Sequence, residues 1–129
     1  MQKLIRHIAL SLILVVFLIG CGGRDTSSLK SAILGHWVLE SGKTHYYFDV
    51  ASIVMQDEGR RMDLTYTVLE LNETENWIKI RVKTGYEVGH DKKLVFSRDQ
   101  KSLTEDAIIS GKTVATGIRW NYMDSKKVP

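Results

Sequence analysis

Cysteine and proline each occur once in the 129 residues. One cysteine excludes a disulfide framework within the chain. Pro/Gly-rich low complexity is excluded too, with one proline and ten glycines. A basic excess is missing where it would matter. The first twenty residues hold Lys3 and Arg6 and no acid, and beyond them 16 basic side chains face 15 acidic ones. The sequence pI near 9.0 therefore comes largely from the leader. A nucleic-acid-binding domain carries its positive charge on the folded part, so that class is excluded. What is present is core material: 43% hydrophobic residues, 9% of the chain aromatic, and many β-branched side chains. That is enough to bury a core rather than remain disordered, and the length suits one domain.

The longest apolar run, Ile8 to Ile19, is only twelve residues and is broken by Ser11. As a helix it would reach about 18 Å, well short of the ~30 Å of a bilayer's hydrocarbon core. A short basic segment ahead of a run of this size is the pattern of a secretory signal rather than a permanent span. The run ends in Leu18-Ile19-Gly20-Cys21, which resembles the lipobox of bacterial lipoproteins. That resemblance implies acylation of the Cys21 thiol and cleavage between Gly20 and Cys21. The mature protein would then be lipid-anchored on the extracytoplasmic side of a bacterial cell membrane, the outer membrane if the cell has one. Anchoring by two or three acyl chains is stable where one chain is not. Residues 1–20 read as a cleaved signal-peptide helix, and 21–32 as the lipidated Cys and a flexible tether. The folded domain spans 33–129, with Ser28 able to cap one helical turn through Leu29, Ala32, Ile33 and Leu34.

From residue 35 onward the apolar pattern has period two. In Trp77-Ile78-Lys79-Ile80-Arg81-Val82-Lys83, Ile78, Ile80 and Val82 alternate with charged neighbours, as in a strand with one wet face. Leu64–Val68 and Val114–Tyr122 alternate likewise. Turn chemistry at Ser41-Gly42, Glu58-Gly59, Asn72–Glu75, Asp99–Lys101 and Ser110-Gly111 separates the runs. The spacing predicts eight strands, over 35–40, 44–49, 52–57, 62–71, 76–83, 92–97, 102–108 and 113–122. Eight short antiparallel strands suit an all-β, up-and-down barrel without free edges, with a two-sheet sandwich as the alternative. The inward set would be Trp37, Leu39, Tyr46, Phe48, Leu64, Tyr66, Val68, Ile78, Ile80, Val82, Leu94, Phe96 and Ile118.

Gly35-His36-Trp37 opens the first strand, and Arg119 stands near the end of the last. This resembles the calycin pattern of lipocalins and small lipocalin-like bacterial lipoproteins. There a Gly-x-Trp opens strand one and an arginine from the last strand packs across the indole. The resemblance implies that Gly35, Trp37 and Arg119 close one end of the barrel, through a cation–π contact of about 0.5–2 kcal/mol.

No arrangement of residues marks catalysis. His36 and His45 lie on adjacent strands and could approach each other, with Glu40 or Asp49 nearby, but no metal-ligand spacing supports a zinc site. No nucleophile elbow occurs. Asp57-Glu58 and Glu105-Asp106 read as wet turn or strand-end carboxylates, and Trp77 beside Lys79, Arg81 and Lys83 reads as a solvated strand face. The expectation is a non-enzymatic module, without cofactor, metal or nucleic acid, that holds a small apolar or amphipathic ligand against Tyr46, Phe48, Tyr66 and Phe96. The alternative is a filled barrel acting by protein–protein contact, as an inhibitor or an envelope-assembly accessory. A cavity of about 300 Å³ or more favours the first, and a plug of Trp37, Phe48, Tyr66 and Phe96 favours the second.

Overall fold

The computed structural model describes residues 24–85 and 88–129. The leader, the Gly20–Cys21 junction and the thiol expected to carry lipid lie outside them. One helical turn, α1 (Leu29–Ala32), precedes eight strands: β1 (Gly35–Leu39), β2 (Thr44–Phe48), β3 (Ser52–Asp57), β4 (Arg60–Asn72), β5 (Trp77–Lys83), β6 (His90–Phe96), β7 (Ser102–Ile109) and β8 (Lys112–Asp124). Each strand pairs antiparallel with its sequence neighbour, and β8 returns to β1, closing an up-and-down barrel. Closure leaves no ladder unpaired, which is what the even spacing of turns predicts.

The two longest strands are bent by irregularities. Leu69 of β4 is skipped in the pairing with β5. In β8, Thr116 and Gly117 stand between the partners of Glu105 and Asp106. Gly117 has φ 72°, a left-handed conformation that glycine adopts without steric cost. Thr116 Oγ1 donates to the Glu105 carbonyl across the bulge. The kink thus lies directly beside the Glu105 side chain.

All thirteen expected inward residues belong to the core or pack against it. The core also contains Ile53, Leu103 and Trp120, together with Leu29, Ala32 and Ile33 from α1 and its end. These last three are fully buried, so α1 stoppers one end of the barrel. Ser28 caps it, its side chain accepting from the Ser31 backbone N–H. At this closed end Trp37 Nε1 donates to the Ile33 carbonyl at 2.8 Å. Phe96 and Tyr122 meet the indole edge-on, 5.9 and 5.3 Å away.

Two sequence expectations are corrected here. The guanidinium over Trp37 belongs to Arg24, 5.3 Å from the Trp37 ring and 3.8 Å from that of Tyr122. Arg119 lies on the exposed outer face of β8. The pleat explains it: Trp120 faces inward, so its neighbour must face out. Arg24 also donates to the carbonyls of Gln100 and Ala32, both at 2.6 Å. The segment expected to be a flexible tether is therefore built into the domain from Arg24 onward. Gly35 opens β1 at its junction with β8. With φ 118°, a Cβ there would sit 2.7 Å from the Asp124 carbonyl oxygen, so the junction of β1 with β8 admits only glycine.

Candidate functional site: a cavity in the open half of the barrel

The hairpin turns at 49–51, 73–76 and 97–101 gather around the α1 end, and those at 40–43, 58–59 and 110–111 form the opposite rim. Trp37, Phe96 and Tyr122 pack together at the closed end, and the open half keeps a cavity of about 300 Å³. Tyr46, Phe48, Ile53, Leu64, Ile80 and Trp120 form its floor and walls, while Met55, Met62, Val82, Thr84, His90 and Lys92 lie around them. The inward alternation of β2 to β6 with β8 produces this lining, and the flexible thioethers of Met55 and Met62 suit an adaptable rim.

Of the four aromatic residues expected to contact a ligand, the structure brings Tyr46 and Phe48 to the cavity. Tyr66 and Phe96 lie outside it. Tyr66 meets Phe48 edge-on at 5.4 Å and donates its hydroxyl to the Asp49 carbonyl at 2.6 Å. Phe96 packs against Trp37 beneath the cavity floor. Their parity is inward, as expected, but both sit too near the closed end to meet a guest. Tyr46 stacks on Trp120 at 4.6 Å, nearly parallel, and Phe48 leans on the same indole.

A polar cluster of Lys92, Trp120 and Glu105 backs this wall, with Glu105 behind the other two. Glu105 is 7% exposed inside the barrel. Its Oε2 accepts from Trp120 Nε1 at 2.9 Å, and its Oε1 lies 2.6 Å from Lys92 Nζ. This overturns the reading of Glu105 as a wet strand-end carboxylate: it faces inward like Leu103, and Lys92 supplies the countercharge a buried carboxylate needs. Tyr46 is pushed up to about 12, first by burial and then by the negative charges of Glu105 and Asp57. Tyr66 is raised to about 12 by burial and Asp49.

Both phenols have folded values above the unfolded ~10, so each favours the folded state in its neutral form. That stability is complete below pH 10 and lost as pH rises towards 12. Alkaline titration followed by phenolate absorbance is expected to show Tyr46 and Tyr66 ionising late, with unfolding setting in over the same window. Tyr46→Phe and Tyr66→Phe should each remove one of them.

On the outer face His36 and His45 do meet, Nε2 to Nδ1 at 2.7 Å. The carboxylate beside them is Asp124, 3.3 Å from His36 Nδ1, rather than Glu40 or Asp49, because β8 lies on the other side of β1. The His36 ring stacks on Tyr47 at 4.2 Å. Among the described residues no three His, Cys, Asp or Glu side chains converge to hold a metal ion. Trp77 lies between Lys79 and Lys93, whose ammonium groups are 5.2 and 4.8 Å from its ring. The neighbouring cations are paired, Lys79 with Glu70 and Arg81 with Asp91, as on a solvated strand face.

Lys92 and Trp120 line the cavity and Glu105 backs them, and the sequence reading gives none of the three a part in the site. A usable signal existed for two of them, since Lys92 shares parity with Leu94, and Glu105 with Leu103. Comparison with family models, with curated proteins and with solved structures finds no match to this chain.

Proposed function

We propose that this chain is an extracytoplasmic bacterial lipoprotein, anchored through acyl chains on Cys21, whose barrel holds a small apolar or amphipathic molecule without transforming it. The observation that carries this reading is the uneven filling of the barrel. One end is closed by Trp37 with Phe96, Tyr122 and the buried α1 residues, and the other half keeps about 300 Å³ of apolar-walled space reaching the rim. That volume lies at the lower end of the range of small-molecule sites. A barrel built for outward contact alone would gain stability by filling that space with larger side chains. Lys92, backed by Glu105, and the hydroxyls of Tyr46 and Thr84 give the wall a few polar groups, the usual composition of a specific pocket.

The test is calorimetry with 1-octanol on the full chain held in amphipol, with amphipol alone subtracted. Saturable one-to-one binding is expected for the wild type. Val82→Phe, which puts a ring into the cavity, should weaken it at least tenfold while leaving the circular dichroism spectrum intact. No saturable binding of apolar probes by the folded wild type would reject the reading.

A further inference from the structure

Beside the cavity stands one charge of each sign, and each neutralises the other. Lys92 on β6 faces Ile80 of β5 and Ala107 of β7, while Glu105 on β7 faces Leu94 and Ile118. The pleat therefore aims both side chains inward. Lys92 lines the cavity with Trp120, and Glu105 stands behind them, bonded to both, its side chain 9% exposed against 28% for Lys92. Both carboxylate oxygens are engaged, whereas an ammonium has three protons and, among the described residues, Lys92 pairs with Glu105 alone. A guest thus meets a wall that still donates hydrogen bonds but carries no net charge. Tyr46, its phenol raised by burial and the nearby carboxylates, adds no charge to it.

In such a site a hydroxyl and a carboxylate fare differently. A hydroxyl gives up little hydration and can accept from Lys92. A carboxylate gives up strong hydration, and its attraction to Lys92 is offset by Glu105 immediately behind, at low local dielectric. We infer that the cavity selects uncharged amphipaths, a short apolar tail with one neutral hydrogen-bonding head, and that Glu105 is the specificity-determining residue that excludes the carboxylates an unpaired Lys92 would capture. This rests on the ligand-binding reading above and adds the ligand class to it. At roughly 30 Å³ per water-sized atom, the space holds about ten non-hydrogen atoms, so 1-octanol and octanoate are matched probes.

The experiment measures both probes on the full chain in amphipol at pH 7.5, for wild type, Glu105→Gln and Lys92→Met, with octylammonium as a third probe. Glutamine keeps an acceptor for Trp120 and removes the charge. Wild type is expected to bind 1-octanol at least tenfold more tightly than octanoate. Glu105→Gln should gain at least tenfold for octanoate and reverse that order. Lys92→Met leaves the opposite charge and should gain at least tenfold for octylammonium, which keeps the test decisive should Glu105→Gln fail to fold. Octanoate preferred by wild type, or affinity ratios unchanged in the folded variants, would overturn the inference while leaving ligand binding intact. Wild type that binds none of the three probes would overturn both.

Discussion

Cys21→Ser should abolish incorporation of a palmitate analogue and leave the leader attached, both visible as a loss of label and a gain in mass on metabolic labelling. The chemistry demands a thiol. Transfer of a diacylglycerol group needs a nucleophile, and a cysteine sulfur is far more nucleophilic than an unactivated serine hydroxyl at neutral pH. The chain offers one cysteine, placed at the end of its one long apolar run, so no second residue can take over. Gly20 is the residue before the expected cut, and Gly20→Trp should leave acylation intact while blocking cleavage. Together the two variants separate the modification from the processing step that follows it. Equal labelling of wild type and Cys21→Ser would remove the lipoprotein assignment altogether.

Trp37→Ala is expected to cost about 3–5 kcal/mol in urea unfolding, the range for deleting a fully buried large aromatic side chain. Trp37 has no solvent exposure. The substitution would open a void between α1, Phe96 and Tyr122, and would strip the Ile33 carbonyl of its indole donor. Arg24→Ala should cost less, about 1–3 kcal/mol, through two carbonyl hydrogen bonds and its place over two rings. Arg119→Ala should fall within about 0.5 kcal/mol, as exposed substitutions do. A large loss for Arg119→Ala beside a small one for Arg24→Ala would refute the closed end as described.

What was legible in the sequence was the ladder. Period-two runs such as Ile78-Ile80-Val82 and turn pairs such as Glu58-Gly59 are local signals, and a barrel of consecutive hairpins needs little else. The observed strands differ from the expected ones by at most two residues at an end. Arg24 was not legible. It lies in a polar stretch with a tether's composition, and its partners Gln100, Trp37 and Tyr122 are far along the chain. The arginine that the calycin resemblance places over the Trp37 ring lies on the last strand, where parity turns Arg119 outward. The Lys92–Glu105 pair was hidden differently. Charged residues are almost never fully buried without a partner, so Glu105 beside Asp106 was assigned to the wet face. Only the pairing of β6 with β7 brings the lysine to it. Tyr66 and Phe96 show a third limit: alternation tells which side chains point inward, but not how far along the barrel the packing stops.

Were Cys21 acylated as proposed, the grip of Arg24 on the closed end would also fix an orientation. Between that arginine and Cys21 stand only Gly22 and Gly23, and three residue steps of extended chain reach about 10 Å. With its acyl chains in the bilayer, the mature protein could not drift on a long leash. It would stand with the α1 stopper towards the lipid and its mouth at the far pole. Guests would then be exchanged with the aqueous compartment, or with whatever reaches down to the rim, rather than drawn up directly from the membrane beneath.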